Sequence, residues 1–174
     1  MLQITKTRLP FTDEWDKLAC VVWQNDSVMH WKDIWTLCQD KGPLSPSHRR
    51  MRGMAARVAE SFCDAASRSE RIGFRPVFEA KTDLPDGAIV TVGTLYLNGE
   101  PMRVPVNPAW NGDIPSYPVQ HSNNPYRPAN LEFKEALGDP AYQVQAIKVD
   151  DILIADRVLI RGISFDDLHM LGFY

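Results

Sequence analysis

The 174-residue sequence is poor in cysteine, and its three cysteines suit neither disulfides nor metal binding. Cys20, Cys38 and Cys63 are odd in number, and their separations match no zinc-ligand spacing. Each lies among apolar neighbours, which predicts a small buried thiol in the reduced state. We therefore expect no metal and no cofactor.

Long apolar runs are also missing. The longest strongly apolar stretch is 18–23, which is far too short to cross a bilayer. The first residues lack the charged-then-apolar organisation of a signal peptide. These two features predict a cytoplasmic protein with no membrane segment.

The sequence lacks the short motifs of several common enzyme classes. It has no phosphate-binding glycine-rich loop, no G-x-S-x-G, no H-E-x-x-H and no paired C-x-x-C. An active site without a motif stays open, because its residues would meet only in the folded chain. The sequence leans away from an enzyme without deciding the question.

What the sequence contains is an ordinary globular composition with an uneven distribution of charge. Hydrophobic residues make up 44% and charged residues 24%, values typical of one folded domain, here residues 1–174. Five basic residues and no acidic one lie between residues 41 and 59, whereas the rest of the chain has 14 basic and 22 acidic residues. The basic segment is therefore a candidate docking region.

The first part of the chain predicts three helices. Thr12 can cap the first, and Trp15 and Leu18 open its apolar stripe. A second helix is expected to begin at Ser27 and end before Gly42. The third starts at Ser45-Pro46 and runs to about residue 68. These elements predict a three-helix unit over about 12–69, within a helical subregion of about 10–70.

The second part, about 71–174, predicts a mainly antiparallel β-rich region, so the predicted fold class is α+β. Asn98-Gly99 between two β-prone segments indicates a hairpin. Strands are further expected at 72–80, 88–97, 141–149, 152–154 and 157–163, and short helices at 130–137 and 165–171. In the last of these helices Asp166, Asp167 and His169 have a weak resemblance to a metal-binding set.

A long segment rich in proline, 107–130, interrupts this region. Trp110, Tyr117 and Tyr126 argue against disorder and predict an ordered recognition loop in which these aromatic side chains anchor a partner. His121 and Arg127 are the catalytic candidates of the same loop, as general base and anion clamp.

The basic third helix gives three interpretations. Arg50 and Arg57 would form an outward strip for an acidic partner, or its arginines would pair with acidic side chains of the same chain. Three helices followed by a hairpin also resemble the winged helix-turn-helix, in which the third helix enters the DNA major groove. In that interpretation the DNA contacts would come from Arg49, Arg50, Arg52 and Arg57.

We therefore expect a non-enzymatic protein that binds a macromolecular partner, most simply another protein. It would be an assembly or structural component, or a small inhibitor or adaptor, of the kind that phages and mobile elements encode. Homo-oligomerisation is left open. The alternatives are a nucleic-acid-binding regulator and a small hydrolase or transferase centred on the 107–130 loop.

Overall fold

The computed structural model describes residues 2–22, 34–54, 59–106, 113–118 and 128–174. Strands make up 42% of this structure, and two helices accompany them, α1 (Thr12–Val21) and α2 (Phe165–Met170). The strands are β1 (Gln3–Arg8), β2 (Trp35–Lys41), β3 (His48–Gly53), β4 (Glu60–Asp64), β5 (Ile72–Phe74), β6 (Val77–Lys81), β7 (Ile89–Leu97), β8 (Glu100–Pro101), β9 (Leu131–Lys134), β10 (Val144–Val149), β11 (Ile152–Ala155) and β12 (Ile160–Arg161).

The strands form two curled sheets. The larger sheet has the order β1-β6-β11-β10-β7-β8, and β9 also pairs with β7; all of these pairings are antiparallel. The smaller sheet has the order β12-β5-β2-β3-β4, in which β2 and β5 are parallel. Side chains from both sheets contribute to one large apolar cluster, and Phe74, Phe78 and Leu153 lie fully buried within it.

Two chain segments pass from one sheet into the other, side by side. β5 leads through Arg75-Pro76 into β6, and β11 leads through 156–159 into β12. The Ala155 amide donates to the Pro76 carbonyl (2.9 Å), and the Leu159 amide donates to the Phe74 carbonyl (2.9 Å), so the two segments stay paired across the crossing.

Arg75 lies at this crossing and is completely buried. Its guanidinium donates to Thr36 Oγ1 (3.0 Å) in the smaller sheet and to the Ala155 carbonyl (3.2 Å) in the larger sheet, and it lies 5.2 Å from the Trp15 ring centroid. Burial lowers the pKa of Arg75 to about 10, so the side chain is still charged at neutral pH. The charge therefore needs the partners that both sheets supply.

The helices cover opposite parts of the structure. α1 packs Trp15, Leu18 and Ala19 against Val77, Ile147 and Ile154 on the convex face of the larger sheet. α2 buries Leu168, and Asp167 caps its first turn by accepting from the Ser164 amide (2.9 Å).

The predicted α+β class with a three-helix unit over 12–69 is wrong. The first predicted helix is present as α1. The described part of the second predicted helix contains strand β2 instead, and strands β3 and β4 stand in place of the third. The helical spacing of apolar residues in 45–68 is compatible with strands too, because Met51 and Ala65 reach the core by strand alternation and by a turn. Gly53 and Met54, both at positive φ, end β3, a conformation that no helix interior accepts.

The β-rich prediction holds better. The Asn98-Gly99 hairpin is confirmed, since both residues have positive φ and Leu97 pairs with Glu100. The predicted strands near 72–80, 88–97, 141–149, 152–154 and 157–163 contain β5 with β6, β7, β10, β11 and β12. The helix predicted at 130–137 is wrong and is β9, whereas the terminal helix is confirmed as α2. Within the described ranges no helix is long and apolar enough to cross a membrane.

We expect Arg75→Met to reduce the free energy of unfolding by about 2–4 kcal/mol, because it removes a buried charge with its donors and leaves acceptors of both sheets unsatisfied. Urea unfolding followed by circular dichroism measures this. Arg71→Met, at an exposed position, is the control and should change little. Equal stability of both variants would contradict the role given to Arg75.

Gly73 is a second point of close contact. A Cβ there would lie 2.2 Å from Val158 Cγ1 and 2.8 Å from the Ile160 carbonyl oxygen, whereas a Cβ at Gly138 would meet no atom within 4 Å. Gly73→Ala should therefore destabilise the protein by about 1–3 kcal/mol, and Gly138→Ala should not. Thermal melting of the two variants tests the contrast.

Candidate functional site

The predicted arginine cluster does not form a helical strip. Arg49, Arg50 and Arg52 lie on β3, where alternation places Arg50 and Arg52 on one face of the sheet and Arg49 on the other. Arg57 lies outside the described residues. The winged-helix interpretation is therefore wrong, because its recognition helix is a pair of strands.

The three described arginines are engaged with their own chain. Arg50 pairs with Glu60 on β4, and the buried Arg52 pairs with Asp16 of α1 at 2.6 Å. The Arg49 guanidinium carbon lies 4.2 Å from the ring centroid of Phe165 in α2. These contacts agree with the interpretation that the arginines pair within the protein.

Most of the predicted loop site lies outside the described residues, namely Trp110, His121, Tyr126 and Arg127. Tyr117 is described and is buried, and its hydroxyl donates to the Ala129 carbonyl at 2.7 Å. Burial raises the pKa of Tyr117 to about 12. This side chain holds the loop against the core and is not exposed as a partner anchor.

Asp167 is held in an ion pair, and Cys38 and Cys63 are buried or partly buried, whereas Cys20, which is predicted to be buried, is exposed. Asp167, from the weak metal set, is bound by Arg68 at 2.7 Å, and no group of three or more metal-binding side chains occurs within the described ranges. Burial raises the pKa of Cys38, and it raises the pKa of Cys63 to about 11. Both shifts oppose thiolate formation, so neither residue is an activated nucleophile.

The most distinctive surface feature lies on the larger sheet, where β7 changes its neighbours along its length. β10 pairs with β7 along 89–93, and a register shift between Thr91 and Gly93 turns the edge of Gly93 and Leu95 toward β10. The Leu95 carbonyl on that same edge accepts from the Met102 amide (2.8 Å), so β8 lies on the same edge as β10, and β9 covers the other edge only along 94–97. β9 cannot continue past Lys134, because the chain then crosses over β7 at Thr94. There Thr94 Oγ1 accepts from the Leu137 amide (3.0 Å) and donates to the Tyr142 carbonyl (2.9 Å).

The curl of the sheet brings β1 opposite this uncovered half of β7. The two strands line adjoining grooves of about 390 and 340 Å³, which share Leu2. We call this region the open seam; it is lined by Leu2, Ile4, Thr5, Lys6, Thr7, Lys81, Thr82, Leu84, Val90, Thr91, Val92, Phe133, Lys134 and Glu135.

The backbone of both strands offers hydrogen-bonding groups to the open seam. The Lys148 amide donates to the Ala88 carbonyl (2.8 Å), so Ala88 and Val90 face β10, while Ile89 and Thr91 face the seam. The Pro76 carbonyl accepts from the Ala155 amide, so by alternation the backbone groups of Phe78 and Ala80 face β11 and not β1. Thr7 and Ile4 pair with these two residues, so their own backbone groups point away from β6 and into the seam. Among the described strands, none pairs with these two edges.

Strand direction completes the geometry. The successive antiparallel pairings from β1 through β6, β11 and β10 to β7 make β1 and β7 run in the same direction. A strand between them can therefore be antiparallel to both, which is the more stable pairing. The open seam therefore has the form of a strand position that no described strand fills.

A larger groove of about 760 Å³ lies beside α1, and three of the five carboxylates that line it take part in ion pairs. Glu14 and Glu79 both bind Arg8, at 2.8 and 2.6 Å, and Asp150 pairs with Lys17. These pairs fasten β1 and α1 to the sheet, so we assign this groove a structural role.

Sequence reasoning missed the open seam. Alternation within 3–8 is a usable strand signal, but the position of β1 at an edge depends on pairings with residues 69–78 positions away. Comparisons with protein-family models, curated proteins and solved structures find no match for this chain. The phage-like and DNA-binding interpretations therefore gain no support from relatives.

We expect a thiol reagent such as Ellman's reagent to label one cysteine per native chain rapidly at pH 8. Cys20 is exposed, Cys38 is buried, and at its raised pKa only about a thousandth of Cys63 is thiolate at that pH. All three should react in denaturant, and Cys20→Ser should abolish the rapid phase. Rapid labelling of Cys63 would contradict its assignment as an unactivated thiol.

Proposed function

We propose that this protein acts by binding another protein, and that it does so by accepting an extended segment of that partner into the open seam. The observation that carries the proposal is the strand position between β1 and the first half of β7, which is empty within the part of the chain that the structure describes. Sheet edges with unpaired backbone groups bind extended segments through main-chain hydrogen bonds.

The side chains around the open seam favour this mode of binding. Leu2, Ile4, Val90, Val92 and Phe133 are only partly buried and pack against the main core. A strand inserted beside them would cover these apolar surfaces and complete the curl of the sheet. Its stabilisation would thus come from apolar burial as well as from hydrogen bonds.

The chemistry of the described residues supports binding over catalysis. The strongly shifted side chains, such as Arg75, Cys38 and Tyr117, are buried in the core or at the crossing of the sheets and do not converge in a cleft. The catalytic proposal for His121 and Arg127 stays a prediction, since both lie outside the described residues.

Photo-crosslinking tests the proposal directly. The photoreactive residue p-benzoylphenylalanine replaces Ile89 in the full chain, within the cells that produce it. The backbone of Ile89 faces the open seam, and its side chain is 51% exposed beside it on the outer face of the sheet. We expect a discrete covalent adduct with a partner protein. The same replacement at Leu44, which is 75% exposed in the connection between β2 and β3, is the positional control and should not give that adduct.

Matched substitutions identify the backbone as the binding element. Thr7→Pro and Thr91→Pro each remove an amide that faces the seam without removing a backbone hydrogen bond between described strands, and each should abolish the Ile89 adduct. Both Thr91 substitutions, to proline and to valine, also remove the hydroxyl that accepts from Gln145 Nε2 (2.7 Å), so the valine variant controls for that loss. Thr7→Val and Thr91→Val keep the amide and should retain it. If both folded proline variants crosslink as the valine variants do, strand addition at this seam is wrong.

A further inference from the structure

We infer that the partner segment alternates apolar and acidic residues, with the apolar side chains directed into the curl of the sheet and the acidic ones directed outward. This inference rests on the proposed function and names the chemistry of the segment that would occupy the open seam. It follows from the different character of the two sides of that seam.

The inner side of the seam is apolar. Ile4, Val92 and Phe133 pack against the main core, and the Phe133 ring meets Phe78 edge-on with centroids 5.0 Å apart. Side chains alternate along a strand, so every second residue of an inserted segment would face this surface. A polar side chain there would lose its water without a partner, which selects apolar residues at these positions.

The outer side of the seam is basic. Lys6 pairs in register with Glu79, and Lys81 pairs with Gln3, so both lysine side chains lie on the face of the sheet opposite Phe78 and Ala80. Lys134 follows the inward-facing Phe133 on β9, so its side chain faces outward. Of the charged residues that line the seam, Lys6, Lys81 and Lys134 are basic and Glu135 is acidic. Acidic side chains at the outward positions would complement this charge, in a chain whose overall net charge is −3.

Two of these lysines, Lys6 and Lys134, have acidic neighbours, but the neighbouring carboxylates leave most of the positive charge available to a partner. Lys134 lies 3.8 Å from Glu132, and both side chains are about half exposed. Glu79, the neighbour of Lys6, is already bound by Arg8 at 2.6 Å. Exposed pairs of this kind are weak, so a better placed carboxylate can compete with them.

The same charges disfavour a second copy of β1 as the occupant. β1 carries Lys6 and Arg8 and no acidic residue, so pairing of two β1 strands would bring like charges together. Basic residues on an edge strand oppose self-association in this way. The occupant best matched to the seam is therefore an acidic segment of a different protein.

Fluorescent peptides test this inference on the full chain. The first probe is a seven-residue peptide of alternating Glu and Val, the second replaces every Glu by Lys, and the third groups the same residues as the first into a Val block and a Glu block. By fluorescence anisotropy at low salt, we expect the alternating Glu/Val peptide to bind at least about tenfold more tightly than either other peptide.

Neutralising the outer lysines should weaken that binding. Lys6→Gln with Lys81→Gln should lower the affinity for the Glu/Val peptide by about three- to tenfold and reduce its salt dependence. Lys41→Gln, on the exposed end of β2 in the smaller sheet, is the control and should leave the affinity unchanged. No difference between the double variant and the control would overturn the acidic preference.

The outcomes separate this inference from the proposed function. If the Glu/Val and Lys/Val peptides bind equally and both bind better than the block peptide, the acidic preference is wrong but strand addition stands. If no alternating peptide binds better than the block peptide, strand addition fails as well. If light scattering shows a dimer that Thr7→Pro converts to a monomer, the occupant is a second copy and the inference is wrong.

Discussion

The structure depends on a buried charge at the point where two strands leave one sheet and enter the other. Arg75 is hydrogen-bonded to both sheets at once and lies close to the ring of Trp15, which anchors α1. A buried guanidinium without partners costs several kcal/mol, so the arrangement is stable only while both sheets and the helix hold their places. The crossing therefore links the packing of the two sheets in the core to the curl of the larger sheet, and that curl creates the open seam.

That coupling explains why the seam stays open. The larger sheet is curled enough to bring β1 opposite β7, but Thr94 directs the chain over β7 and ends β9 early. Within the described ranges the sheet thus has one strand length unfilled at the place where its two edges approach each other. A site formed in this way has its hydrogen-bonding groups fixed before any partner arrives, which lowers the entropic cost of binding.

Local signals predicted the parts of the fold that local interactions determine. The Asn98-Gly99 turn and helix α2, which Ser164 caps, follow from backbone preferences within a few residues. The apolar stripe predicts α1 correctly, but the predicted cap Thr12 is its first residue and Phe11 holds the cap position. The helix predicted over 45–68 is wrong. β3 pairs with β4, and α1 and α2 contact the two faces of these strands; these interactions outweigh the helical spacing of methionine and alanine. The candidate site was beyond the reach of sequence for a similar reason: a free sheet edge is defined by which strands pair elsewhere, and neither Thr7 nor Thr91 carries a local mark of it.

The central place of β11 has a consequence for synthesis of the chain. β11 lies between β6 and β10, so β6, made from residues 77–81, waits for residues 152–155 before its second edge is covered. At about 5–20 residues per second, the growing chain carries that edge without its partner for several seconds. During that interval the edge is open to pairing with any other extended segment, a pairing that β11 excludes in the finished protein.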